Sequence, residues 1–108
     1  MVPRRRRAGV ALALLLCAPL ARAAAPGAVA IDNFSFGPAS LTVAVGTRVT
    51  WTNHDDDPHT VVSAAATPVF KSAALDTDET YAFVFTEKGI YKYFCSIHPR
   101  MQGTVIVE

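Results

Sequence analysis

Cys95, His98 and Met101, each separated from the next by two residues, lie in the run Tyr93-Phe94-Cys95-Ser96-Ile97-His98-Pro99-Arg100-Met101-Gln102-Gly103. A single tight loop can bring a thiolate, an imidazole and a thioether at this Cys-x-x-His-x-x-Met spacing to one point in space. Two imidazoles and one thiolate in a trigonal plane, with a weak axial thioether, compromise between the preferences of Cu(I) and Cu(II). Little then has to move when an electron arrives, which favours fast one-electron transfer. The second imidazole should come from the end of a neighbouring strand, and Asp57-Pro58-His59-Thr60 supplies it 36 residues before Cys95. The expected metal ligands are therefore His59, Cys95, His98 and Met101, around one type 1 copper ion cycling between Cu(I) and Cu(II).

Taken singly, each of these residues has a plainer use. A lone Cys is more often a small buried hydrophobe, a Met core filler, and a His a surface or loop residue. The joint pattern reverses that balance, because four suitable donors fall at compatible positions and the thiol has no partner for a disulfide. His54 stands too close to the preceding strand, ahead of Asp55, Asp56, Asp57 and Pro58, and reads as a solvated loop residue.

The first 23 of the 108 residues differ from the rest. Arg4 to Arg7 form a positive head, Val10 to Leu16 an apolar run, and Ala21-Arg22-Ala23 a cleavage-like end. Pro19 and Arg22 interrupt the run before the roughly 20 apolar residues a spanning helix needs. Residues 1–23 are read as a signal peptide and the destination as the periplasm, with Sec or twin-arginine export both open. Bulky Leu16 before Cys17 argues against lipid attachment at that cysteine. Removing the segment leaves five basic and nine acidic side chains, a net charge of −4. Such a domain offers little to nucleic acid or an anionic membrane surface. It also leaves Cys95 unpaired in an oxidising compartment, where a metal would occupy it.

The ligands need strands to hold them, and the pattern supplies several. Val29 to Phe36 alternates, Leu41 to Val45 places Leu41, Val43 and Val45 on one side, and Arg48 to Asn53 turns Val49 and Trp51 inward. Further runs are expected at Thr60 to Ser63, Thr80 to Phe85, Ile90 to Phe94 and Thr104 to Val107. About seven or eight short strands imply an all-β sandwich, residues 29–108, after a flexible segment 24–28. Residues 64–78 carry no assignment. The aromatics Trp51, Phe34, Phe36, Phe83, Phe85, Tyr91 and Phe94 are expected to be core rather than a stacking platform. Asn33-Phe34-Ser35 matches a glycosylation acceptor, a three-residue pattern that arises often by chance.

Trp51-Thr52-Asn53 followed by Pro58-His59, then the Cys95 to Met101 loop leading into Val105-Ile106-Val107, resembles the cupredoxins, the type 1 blue-copper proteins, and among them the amicyanins. The resemblance covers residues 29–108. It implies a Greek-key β-sandwich with copper near one end, the edge of His98 near the surface, and electron exchange with a redox partner such as a dehydrogenase or cytochrome. Relatives commonly place Asn after the first histidine; here Thr60 stands there, with its hydroxyl expected to bond Ser96 and its backbone N–H to reach the Cys95 sulfur. A proline commonly precedes the second histidine; here Ile97 carries an N–H that could point at the thiolate and raise the reduction potential.

Two other functions are open to these residues. A nucleophilic Cys95 with His98 or His59 as base would need a third positioning group and a substrate cleft, and would leave Met101 without a role, so no enzyme is expected. Copper delivery or storage on the same scaffold is the alternative, but only Met101 remains among the methionines once residues 1–23 are gone, and a Cu(I) carrier would be expected to offer several thioethers. The expected protein is a monomer that meets its redox partner transiently.

Overall fold

β-Branched and aromatic residues at alternate positions build two sheets whose inner faces share one apolar core. The computed structural model describes Pro3 and residues 26–108. The expected signal peptide, Pro3 apart, lies outside the described residues. Among those described there are eight strands: β1 (Gly27–Asp32), β2 (Ser35–Gly37), β3 (Ser40–Val43), β4 (Arg48–Asn53), β5 (Val62–Ser63), β6 (Thr80–Val84), β7 (Gly89–Phe94) and β8 (Gln102–Val107). They form two four-stranded sheets, in the orders β2-β1-β4-β6 and β3-β8-β7-β5. β1 with β4 and β3 with β8 are parallel, and the remaining pairs are antiparallel.

The all-β sandwich is thus as expected, and Val49 and Trp51 point inward with no exposure. Trp51 meets Phe70, Tyr81, Phe85 and Tyr93 at ring-centroid distances of 5.4 to 6.5 Å. Tyr93 in turn lies flat across Gly103 of the adjacent strand, so close that a Cβ there would overlap its phenol. No helix among the described residues is long and apolar enough to cross a membrane.

Several expectations need correction. Val29 to Phe36 is not one strand: Asn33 and Phe34 both have positive φ, 51° and 55°, and fold it into the β1–β2 hairpin. Two left-handed residues in a two-residue loop match the twist of the flanking strands. Phe34, expected in the core, is 46% exposed as a result. Val45 lies beyond the end of β3 and is also exposed, because the chain turns at Gly46. Thr60 and Val61 precede β5 rather than belonging to it. β1 starts at Gly27, two residues ahead of the expected domain start. Phe94 is half-buried and not part of the core, whereas Tyr93 lies within it and Tyr91 packs against it.

Residues 64–78 form a connection that crosses the molecule with two isolated bridges, Val62 with Lys71 and His59 with Leu75. It buries Phe70 and Leu75 in the core, and the Ser72 hydroxyl accepts the Val61 N–H at 2.7 Å.

Candidate metal centre

Three loops meet at one end of the sandwich. The β7–β8 loop carries Cys95 and His98, and it is closed by Cys95 N–H donating to the Met101 carbonyl (3.1 Å) and Met101 N–H to the His98 carbonyl (2.9 Å). His59, between β4 and β5, is fastened by a reciprocal pair of backbone bonds with Leu75, at 3.1 and 2.7 Å. Asn53, fully buried at the end of β4, donates its amide to the carbonyls of Asp57 (2.9 Å) and Leu75 (2.8 Å), so it fixes both flanks of the His59 segment.

The structure brings three of the four expected donors together. Nδ1 of His59 and Nδ1 of His98 are 3.2 Å apart, and each is 3.8 Å from Cys95 Sγ. A point equidistant from all three lies roughly 2.1 Å from each, which is the length of metal bonds to nitrogen and close to that of metal bonds to thiolate sulfur. His59 and Cys95 are fully buried and His98 is half-buried. Met101 is buried and joins Phe34, His98, Pro99 and Arg100 around a surface hollow of about 440 Å³.

The surroundings prepare these groups for a cation. Nε2–H of His59 donates to Asp55 Oδ2 at 2.8 Å, a pairing that leaves the Nδ1 lone pair aimed at the centre. Burial pushes the Cys95 thiol up, but the N–H groups of Thr60 and His98, and then the two imidazoles, more than offset it and hold the thiol down at about 6 against an ordinary 9.0. Thr60 N–H reaches the sulfur at 3.3 Å. The Thr60 hydroxyl accepts the Ser96 N–H at 2.7 Å and lies 2.8 Å from Ser96 Oγ, so the expected bridge between the ligand loops is present. The expected contribution of Ile97 is not: among the described residues the hydrogen bonds to sulfur come from Thr60 and His98, and Ile97 faces outward, 46% exposed.

His54 is exposed, 3.9 Å from Asp78, as a solvated loop residue should be. Sequence reasoning missed Asp55 and Phe34. Asp55 sits four residues before His59 and nothing in its local pattern distinguishes it from Asp56 and Asp57. Phe34 looks like any strand aromatic, yet its ring stands edge-on to both imidazoles, with centroids 5.2 Å from His59 and 5.1 Å from His98.

Residues 24–108 match the family described as copper binding proteins, plastocyanin/azurin family. The chain belongs to that family. Within it the chain is similar to the amicyanin of Paracoccus denitrificans, 36% identical over 89 residues that cover 78% of this chain and 68% of the relative. Among solved structures it is similar to a purple cupredoxin from Nitrosopumilus maritimus, with 36% identity, a TM-score of 0.71, and coverage of 76% of this chain and 99% of that one. A reduced amicyanin variant gives 35% identity and a TM-score of 0.72, covering 77% and 82%. Copper is the cofactor of this plastocyanin/azurin-family chain, and the donor triangle fits it. The chain is a blue-copper electron carrier, not an enzyme.

Proposed function

We propose that this protein carries single electrons in the periplasm between transient redox partners, with its one copper ion held by His59 Nδ1, Cys95 Sγ, His98 Nδ1 and the thioether of Met101. The observation that carries the reading is the triangle of two imidazole nitrogens and a low-pKa thiolate, closed around a point at bonding distance from all three. Copper supplies a one-electron couple when bound there.

The residues do the rest. His59 and Cys95 are buried and held by Asp55 and Thr60, so the fold resists rearrangement of these donors. His98 is the ligand that reaches the surface, at a hollow rimmed by Phe34, Pro99 and Arg100, and its ring is the route by which an electron enters or leaves. Phe34 and Ile97 expose apolar surface around it, suited to brief docking against a dehydrogenase or cytochrome, and exposed Arg100 supplies a charge that favours an acidic partner face. Residues 1–23, read as a signal peptide, support export.

Addition of Cu(II) to the metal-free chain, followed by visible spectroscopy, tests the site. An intense thiolate-to-Cu(II) band that disappears in Cys95→Ser is the expected result. A colourless product would overturn it. Stopped-flow exchange of electrons with a cytochrome then tests the carrier role.

A further inference from the structure

We propose that Asp55 is the positioning residue of the copper centre, and that its one carboxylate orients both imidazoles: His59 directly, and His98 through the hairpin turn that carries Phe34. The inference rests on the copper reading above. Three donors converge on this side chain. Oδ1 accepts the Asn33 N–H at 2.7 Å, and Oδ2 accepts the Phe34 N–H at 2.9 Å and His59 Nε2–H at 2.8 Å. Asp55 is itself held at both ends of its peptide: its N–H donates to Asn53 Oδ1 (2.9 Å), and its carbonyl accepts the Thr77 hydroxyl (2.7 Å).

The turn it grips is an expensive one. Left-handed backbone at a bulky residue such as Phe34, φ 55°, costs on the order of 1 kcal/mol or more, and such residues persist only where their surroundings fix them. Here the fixing bonds are the two charge-assisted ones to the Asp55 carboxylate. Their consequence is the placement of the Phe34 ring, nearly perpendicular to both imidazoles at 87° and 88°. His59 has a carboxylate on its distal nitrogen. Among the described residues His98 has none: its ring comes within hydrogen-bond range of other groups only through Nδ1, toward His59 and Cys95. The edge-on Phe34 ring is therefore what limits tilting of His98 from the solvent side.

Neighbouring Asp56 is exposed and makes none of these contacts, so it serves as a charge-matched control. Cu(II) affinity by chelator competition, with visible and EPR spectra, is to be measured on the full chain and on D55N, D55A, D56N, F34A and the D55A/F34A pair. D55A should weaken Cu(II) binding by about 10-fold to 100-fold and alter the EPR spectrum, with D55N between it and the parent. D56N should stay within about two-fold. F34A should lose less than D55A, and the double variant should lose less than the product of the two single losses, because part of the effect of Asp55 runs through Phe34. Should D55A fail to fold, D55N, of the same volume, carries the comparison. A D55N or D55A chain that binds copper as the D56N control does, with an unchanged spectrum, overturns the inference alone, as does full additivity for the part routed through Phe34. A parent chain that does not turn blue overturns the copper reading and this inference with it.

Discussion

The hydroxyl of Thr60 accepts the backbone N–H of Ser96 at 2.7 Å, tying the loop that carries His59 to the loop that carries Cys95 and His98 across 36 residues of sequence. Its oxygen also stands 3.8 Å from Cys95 Sγ, so one small side chain serves both as bridge and as part of the wall around the thiolate. Thr60→Val keeps the shape and the backbone N–H to sulfur while removing the bridge. Stability should fall by about 0.5–1.5 kcal/mol for the lost hydrogen bond to Ser96, and Cu(II) affinity by about ten-fold, measured by urea unfolding and chelator competition.

The metal-free protein should titrate its thiol far below the ordinary range. Cys95 loses its proton at about 6 in the folded chain and near 9.0 when unfolded. Between those values the unfolded chain binds more protons, so stability rises with pH across the window. The contribution is fully present above 9.0 and is lost as pH falls through about 6. Ultraviolet thiolate absorbance should report the titration, and the difference in urea midpoint between the metal-free parent and Cys95→Ser should grow from pH 6 to pH 9. A thiol that titrates near 9 in the folded chain would contradict it.

Gly103→Ala should destabilise the fold by about 1–3 kcal/mol through overpacking, because the added methyl would occupy space filled by the Tyr93 phenol and that ring is itself buried against Trp51 and Phe36. Thermal unfolding of the metal-free protein checks this. Tyr93→Phe should relieve only part of the loss, since ring carbons as well as the hydroxyl lie over Gly103.

Asn53→Leu should cost about 3 kcal/mol and loosen the metal centre as well. The carbonyl of Asp57 and the N–H of Asp55 would lose their partner and the carbonyl of Leu75 one of its two, so the His59 segment would lose the side-chain ties on both flanks. Urea unfolding reads the first effect and Cu(II) competition the second.

Ile97→Pro should leave the reduction potential close to that of the parent, because the hydrogen bonds that reach the sulfur come from Thr60 and His98. Protein-film voltammetry is the measurement. A clear drop in the proline variant would reinstate a role for the Ile97 N–H.

Period-two alternation and β-branched composition are local properties, so the strands around Trp51, Tyr93 and Val105, and with them the sandwich, could be read along the chain. The chemistry of the donors is also local: an unpaired thiol with His and Met at fixed short spacing points to copper wherever the loop lies. Other features were decided only by folding. Whether Val29 to Phe36 runs straight or doubles back at Asn33-Phe34 depends on the Asp55 carboxylate, 21 and 22 residues away, which accepts both turn N–H groups. Which of three consecutive aspartates meets His59, where the 64–78 connection crosses and buries Phe70, and why Phe34 lies on the ligands instead of in the core are long-range outcomes of the same kind. Sequence spacing determines what a segment can form alone, whereas hydrogen bonds between groups brought together by sheet packing have no counterpart in the linear pattern.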